Sequence, residues 1–86
     1  MIYIIKVYNP KTRVFKDTRK RVDSAKLLMQ KQAYKVLGDF GKLDTISAHK
    51  VMQEIDKGFN DALPRIDIEI SNTEYSIHME KTDGPF

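Results

Sequence analysis

The sequence contains no cysteine and only two histidines. A chain without cysteine can form neither a disulfide nor a thiolate metal site, and it has no cysteine nucleophile. The histidines, His49 and His78, have no second histidine or cysteine at the spacing that metal ligands require. These absences remove the commonest metal sites and fit a reducing compartment. We therefore expect a cytoplasmic protein with no metal and no cofactor.

Long apolar runs are also missing. The opening segment Met1–Ile5 is apolar only as far as Lys6, which is too short for the core of a signal peptide or for a membrane span. The segment from Gly38 to Gly41 lacks the lysine and the serine or threonine of a phosphate-binding P-loop. No serine lies in a nucleophile elbow. We therefore expect no membrane association and a chain that is not an enzyme.

The chain does contain enough apolar residues to fold. Its 86 residues are 41% hydrophobic and 31% charged, which is ordinary for one small globular domain. Residues 1–80 are predicted to form that domain, and residues 81–86 are predicted to form a frayed C-terminal tail.

Composition and alternation predict four strands in two hairpins. Residues 1–8 are rich in isoleucine, valine and tyrosine, which is typical of a central strand. The turn chemistry of residues 9–12 joins this segment to a shorter strand over residues 13–16. Near the C-terminus, two further strands alternate apolar with polar residues. Their apolar positions are Ile66, Ile68 and Ile70 in the first and Tyr75, Ile77 and Met79 in the second.

Two amphipathic helices are predicted between the hairpins. Apolar residues recur every three or four positions from about Asp23, the expected N-cap, until Gly38 and Gly41 mark the end. A second stripe begins after Asp44, another expected N-cap, and continues through Ala62 until Pro64. The order strand, strand, helix, helix, strand, strand predicts an α+β domain with an antiparallel four-stranded sheet and both helices packed on one face.

Charge is distributed very unevenly along the chain. Residues 1–42 hold eleven lysines and arginines against three aspartates, a net charge of +8, whereas residues 43–86 have a net charge of −5. A basic cluster of this kind can follow a phosphate backbone, because arginine forms forked hydrogen bonds and lysine acts as a point charge. The residues predicted to bind nucleic acid or another acidic partner are Lys11, Arg13, Lys16, Arg19, Lys20, Arg21, Lys26 and Lys31.

Two aromatic residues flank the basic turn. Tyr8 and Phe15 are close enough in sequence to offer a stacking face for an unpaired base. Aromatic residues at such positions are more often part of a core or of a sheet edge. Both interpretations stay open at the level of sequence.

The C-terminal hairpin carries the opposite charge. Its carboxylates alternate with the isoleucines, so they would gather on the solvent side, where they could guard an exposed edge against aggregation. They could instead form an acidic face that mimics phosphates or docks a basic protein. The residues of this predicted acidic face are Asp67, Glu69, Glu74 and Glu80.

These patterns predict a non-enzymatic binding module. The leading hypothesis is that the basic hairpin and first helix engage an acidic partner, either nucleic acid or a nucleoprotein complex. The alternative is a protein-binding inhibitor or adaptor of the phage or mobile-element type, for example an anti-defence protein of the anti-CRISPR sort, which acts by covering a surface. A homodimer, in which the acidic face of one copy meets the basic face of another, is a third expectation.

Overall fold

Four strands and two helices occur in the order that the sequence predicts. The computed structural model describes residues 1–9, 11, 15–41, 46–70 and 73–83. Its elements are β1 (Ile2–Tyr8), β2 (Phe15–Arg19), α1 (Val22–Asp39), α2 (Ile46–Asn60), β3 (Arg65–Glu69) and β4 (Ser76–Thr82). The chain forms a small, compact α+β domain with a four-stranded sheet, which confirms the predicted fold class.

The sheet has the strand order β2-β1-β4-β3, and every neighbouring pair is antiparallel. The longest pairing joins the two terminal strands, from Ile2 opposite Thr82 to Tyr8 opposite Ser76. β1 and β4 are therefore the central strands, and β2 and β3 are the edges. The N-terminal hairpin forms one half of the sheet, and the C-terminal hairpin forms the other.

Both helices cover the same face of the sheet. Ile5 and Val7 of β1, with Ile77 and Met79 of β4, are buried against the apolar stripes of the helices. Removal of these side chains from water is the main favourable contribution to folding, at about 25 cal/mol for each Å² of apolar surface. The buried helical residues are Ala25, Met29, Ala33, Val36 and Leu37 in α1 and Ala48, Val51, Ile55, Gly58 and Phe59 in α2.

Neither helix covers the opposite face of the sheet, which we call the outer face. It is built by the alternate residues of each strand that point away from the helices. Register assigns these positions, because Lys6 lies opposite both Lys16 and His78, and His78 lies opposite Asp67. The outer face consists of Lys16 and Thr18 from β2, Ile2, Ile4, Lys6 and Tyr8 from β1, Ser76, His78, Glu80 and Thr82 from β4, and Arg65, Asp67 and Glu69 from β3.

The ends of three strands differ from those predicted, and Ile70 and Tyr75 lie just outside β3 and β4. β2 extends to Arg19 rather than ending at Lys16, because its pairing with β1 continues to that residue. β4 continues through Lys81 and Thr82, two positions that the sequence assigns to a frayed tail, because both pair with β1. The predicted start of β2, at residues 13 and 14, lies outside the described residues.

The N-cap predicted for α1 is wrong. The cap position is Arg21, whose side chain makes no capping hydrogen bond, and Asp23 lies within the first turn. There its carboxylate accepts hydrogen bonds from the Ser24 backbone N–H and from Arg21 Nη2, both at 2.9 Å, and negative charge is favourable at this end of a helix. After α1, Gly41 adopts φ 66°, a left-handed conformation that glycine takes without strain. Asp44, the N-cap predicted for α2, lies outside the described residues.

The C-terminal part of α2 lies very close to β3. A Cβ atom added at Gly58 would overlap the Cδ1 and Cγ1 atoms of Ile66, so glycine is what permits this approach. The helix ends at Asn60. Ala62, which the sequence places on the apolar stripe of this helix, is exposed instead and has a φ of 53°.

Replacement of Gly58 by alanine tests the close contact between α2 and β3. Alanine has the higher helix propensity by about 1 kcal/mol, but its methyl group would overlap Ile66, and overpacking of this kind costs about 1–3 kcal/mol. We expect Gly58→Ala to lower the free energy of unfolding, measured by urea denaturation. Gly38→Ala, at an exposed position of α1, is the matched control and should raise it by up to about 1 kcal/mol.

Truncation of the partner residue separates overlap from other causes. In the Gly58→Ala background, Ile66→Ala removes both the Cδ1 and the Cγ1 atoms that the new methyl group meets. The two substitutions together should therefore cost less than the sum of the single substitutions. If the two losses of unfolding free energy were additive, the contact with Ile66 would not be the reason why glycine occupies position 58.

Candidate functional site

The outer face carries a charge gradient across the four strands. Lys16 and Lys6 lie on the β2–β1 side, whereas Asp67, Glu69 and Glu80 lie on the β4–β3 side. The basic and acidic halves of the sequence are side by side on one surface, because β1 of the first hairpin pairs with β4 of the second. The sequence predicts two separate surfaces, and the structure places parts of both on the same face.

Lys6 and Lys16 occupy partner positions on β1 and β2. Cβ atoms at such positions are about 4.5–5.5 Å apart, and like charges there destabilise the sheet. In the part of the chain that the structure describes, neither ammonium group makes an ion pair. An anion on this side of the outer face would relieve the repulsion. Sequence reasoning does not select Lys6, although its alternation with Ile4 and Tyr8 is the signal that assigns it to this face.

Four of the predicted basic residues are already paired with carboxylates. Arg19 Nη1 lies 2.8 Å from Asp17 Oδ2 on the helix side of β2, and Lys11 Nζ lies 3.2 Å from Glu74 Oε1. Exposed pairs of this kind contribute about 0–1 kcal/mol each, so they reduce the local charge without adding much stability. The other two pairs are Arg21 with Asp23, at 2.9 Å, and Lys26 with Asp56 of α2, at 2.7 Å.

The predicted basic surface is only partly continuous. Lys16 points to the outer face, and Lys20 follows β2 directly in the turn before α1. Lys31 lies on the exposed side of α1, away from the buried stripe that contacts the sheet. Arg13 lies outside the described residues. The structure thus places Lys6 beside Lys16, with Lys20 farther along the same edge, and it separates them from Lys31.

Tyr8 and Phe15 lie on opposite faces of the sheet. Tyr8 is 48% exposed on the outer face, whereas Phe15 lies opposite Val7 and packs against the core on the helix side. Phe15 pairs with the neighbour of Tyr8, and neighbouring positions on a strand point to opposite faces. The two rings therefore do not form the single stacking face that the sequence suggests, and Tyr8 is the one that faces outward.

A shallow cleft on the outer face begins beside Tyr8. Its volume of about 240 Å³ is below the roughly 300 Å³ at which typical small-molecule pockets begin. The cleft therefore has room for one ring system rather than for a large cofactor. Its lining consists of Ile4, Lys6, Tyr8, Arg65, Asp67, His78, Met79 and Glu80.

A chain of hydrogen bonds crosses the acidic side of the outer face. His78 Nδ1 lies 2.7 Å from Asp67 Oδ1, and His78 Nε2 lies 2.8 Å from Ser76 Oγ. With Nδ1 protonated, the imidazole donates to the carboxylate and accepts from the serine hydroxyl. Arg65 Nε donates a further hydrogen bond to Asp67 Oδ2 at 3.0 Å. These hydrogen bonds orient the side chains of Arg65, Asp67, Ser76 and His78.

The sequence of contacts from serine to histidine to aspartate is also that of a nucleophilic catalytic triad. Such a site requires preorganised donors for a developing oxyanion, and backbone N–H groups commonly supply them. The N–H groups of β4 near Ser76 belong to a strand that pairs with β1 on one side and with β3 on the other. Beside Ser76, the Tyr75 N–H donates to Thr73 Oγ1 at 3.1 Å, and Ile77 lies within the paired part of β4.

The hydrogen bonds keep Asp67 ionised. The pKa of its carboxyl group is below the ordinary value of 3.8, first because of the hydrogen bond with His78 and also because of the charge of Arg65. Partial burial raises the pKa, but it does not cancel these effects. Negative charge on this side of the outer face therefore persists through the neutral and mildly acidic range.

The predicted acidic face is only partly assembled. Asp67, Glu69 and Glu80 share the outer face, but Glu74 lies in the connection between β3 and β4 and pairs with Lys11. Asp67 is engaged in the hydrogen-bond chain. Glu69 and Glu80 are the carboxylates of this face that make no ion pair or side-chain hydrogen bond with other residues in the described ranges.

Comparison with protein-family models, with curated proteins and with solved structures gives no match to this chain. Across the described ranges, α1 and α2 lack the combination of length and apolar character needed to cross a lipid bilayer. The same ranges contain no group of three or more histidine, cysteine or acidic side chains placed to hold a metal ion.

Titration of Asp67 tests the hydrogen-bond chain. We expect its carboxyl pKa, measured by carbon NMR of the carboxyl group, to lie below 3.8 in the wild-type protein and to rise towards that value in His78→Ala. Arg65→Ala should produce a smaller rise, because the hydrogen bond with His78 is the largest cause of the lowering. Equal titration midpoints in wild type and His78→Ala would contradict the hydrogen bond between His78 and Asp67.

The same pKa shift predicts how stability depends on pH. A carboxyl group with a lowered pKa in the folded state contributes stability above its unfolded-state pKa, and this contribution is lost as the pH falls through the folded-state pKa. The stability difference between wild type and Asp67→Asn should therefore be present at neutral pH and should shrink below about pH 4. Urea denaturation at a series of pH values measures it, and a difference that does not change with pH would contradict the shift.

Proposed function

We propose that this protein is a non-enzymatic binding module whose outer face engages the phosphates of a nucleic acid. The observation that carries the proposal is the like-charged pair Lys6 and Lys16, which occupy partner positions on β1 and β2. Two adjacent ammonium groups without a carboxylate partner among the described residues form a site for an anion. A lysine ammonium binds phosphate as a positive point charge. Lys20 extends the positive charge beyond the end of β2.

The basic edge of the sheet is long enough to follow a phosphate backbone. Lys16 to Arg19 lie within β2 and span about 10 Å, and Lys20 follows directly. Consecutive phosphates of one strand are closer together than this, so contacts at both lysines involve more than one phosphate. Each phosphate that is neutralised releases a condensed counterion, so the affinity falls steeply with salt.

The acidic side of the outer face limits where a nucleic acid can lie. Glu69, Glu80 and Asp67 repel phosphates, and the hydrogen bond with His78 lowers the pKa of Asp67, so its charge also persists at mildly acidic pH. The polyanion is therefore confined to the β1–β2 side. A surface with opposite charges in separate halves sets the orientation of a bound ligand and disfavours wrong partners.

A protein-binding inhibitor or adaptor is the second candidate function. It is favoured by two apolar side chains on the outward side of α1, since Leu27 is 52% exposed and Tyr34 is 51% exposed. They are seven positions apart, so they lie on one side of the helix. Affinity capture from the native host tests this function. If the wild-type protein and Lys16→Glu both capture a stoichiometric protein partner and Leu27→Glu does not, the result favours a protein-binding role.

Charge reversal at the edge of the sheet tests nucleic-acid binding. We expect the double variant Lys16→Glu/Lys20→Glu to bind a fluorescently labelled oligonucleotide more weakly, and to lower the slope of log K against log salt by about 1–2. The double variant Lys50→Glu/Lys57→Glu makes the same change in net charge on α2, and as the matched control it should keep the wild-type slope. Fluorescence anisotropy at a series of salt concentrations measures both.

Two results would contradict the proposal. Equal losses of affinity in the two double variants would mean that net charge, rather than the β2 edge, attracts the nucleic acid. A failure to bind any single-stranded or duplex oligonucleotide of DNA or RNA at low salt would remove nucleic acid as the partner.

A further inference from the structure

We infer, on the basis of the proposed function, that the cleft beside Tyr8 binds one unpaired nucleobase. The ligand of the outer face is then a single-stranded nucleic acid whose phosphates lie on Lys6 and Lys16. Three features of the outer face lead to this ligand: an outward-facing aromatic ring, a cleft next to it, and opposite charges on the strands that line the cleft.

Tyr8 provides a stacking surface next to the lysine pair. Its side chain is 48% exposed and lies two positions along β1 from Lys6. Residues two apart on a strand point the same way and are about 6.6 Å apart. Aromatic rings on an open sheet stack unpaired bases. A nucleotide whose phosphate contacts Lys6 can therefore place its own base on Tyr8.

The cleft supplies a place for the edge of that base. β1 contributes Lys6 and Tyr8 to the lining, β4 contributes His78 and Glu80, and β3 contributes Asp67. Carboxylates repel phosphate, but they accept hydrogen bonds from exocyclic amino groups such as that of cytosine. Glu80 pairs with Ile4, four positions along β1 from Tyr8, so it is too far away to meet a base on that ring. His78 and Asp67 are in register with Lys6, and each oxygen of Asp67 accepts one hydrogen bond and can accept a second. The nucleotide therefore binds with its phosphate towards the lysines and its base edge towards His78 and Asp67.

A duplex cannot present its bases to this cleft. Four strands about 4.8 Å apart span about 14 Å before side chains are counted. The major groove of B-DNA is about 12 Å wide and admits a helix or a two-stranded ribbon. The outer face is therefore too wide for an undistorted groove, and the stacked bases of such a duplex stay out of reach of Tyr8. A duplex can contact only the lysines, through its phosphates.

Tyrosine variants test the site with short oligonucleotides. The probes are labelled single strands of about eight deoxycytidines, within the usual site size, and a duplex of the same length, with binding measured by fluorescence anisotropy at low salt. We expect Tyr8→Ala to weaken single-strand binding by about 5- to 100-fold, as for the loss of one base–aromatic stack, and Tyr8→Phe to retain it. Tyr34→Ala removes a ring of similar exposure from α1, and as the matched control it should bind as the wild type does.

Intrinsic fluorescence gives a second measurement that does not depend on the folding of Tyr8→Ala. The chain has four tyrosines and no tryptophan, so a base stacked on Tyr8 should quench the tyrosine emission. We expect this quenching in the wild-type protein and its loss in Tyr8→Phe, which keeps the ring and the affinity. Equal quenching in both proteins overturns stacking on Tyr8.

The outcomes separate the nucleobase site from the proposed function. If no probe binds, both fail. If Lys16→Glu/Lys20→Glu weakens binding but Tyr8→Ala does not, the proposed function stands and the nucleobase site is overturned. The same conclusion follows if the duplex binds as tightly as the single strand. Weaker binding by Tyr8→Ala, with binding retained by Tyr8→Phe and Tyr34→Ala, supports the site.

Discussion

The pairing of β1 with β4 is the interaction on which the rest of the structure depends. It joins the first strand to the last, from Ile2 opposite Thr82 to Tyr8 opposite Ser76, and so it connects two hairpins that would each be marginally stable alone in water. The entropic cost of joining distant parts of the chain is offset by the burial of apolar side chains under the helices. Once this pairing forms, one continuous sheet with one uncovered face results.

The same pairing organises the charge of the outer face. Cations of the first hairpin and carboxylates of the second become two sides of one surface, so an anion is attracted at one side and repelled at the other. Core packing and alternation agree with each other along the described strands and helices, whereas Lys6 opposite Lys16 breaks the rule for cross-strand pairs. Local conflicts of this kind are expected at functional sites. In this one, Lys6 lies two positions from Tyr8 on β1, and Lys16 lies on the edge strand β2.

Much of the fold is predictable because it is encoded in short segments. Ile66 and Ile68 alternate with charged residues because only one face of β3 is buried, and the stripes of the helices follow from the same requirement. Element ends are harder to predict. Arg19 and Lys81 belong to strands because β1 holds them through backbone pairing, and that contact leaves no pattern in the neighbouring residues. Asp23 resembles an N-cap in sequence, but the helix begins one residue earlier, at Val22.

The candidate site is less predictable than the fold. The sequence identifies Tyr8 and Lys16, but the register of β1 with β2 decides that Phe15 turns towards the core, and the position of α2 decides that Lys26 is paired with Asp56. The sequence by itself determined the elements, their order and the separation of charge along the chain, because these depend on neighbouring residues. Only the tertiary structure decided which charges share a face, because strand order and register join residues that are far apart in the sequence.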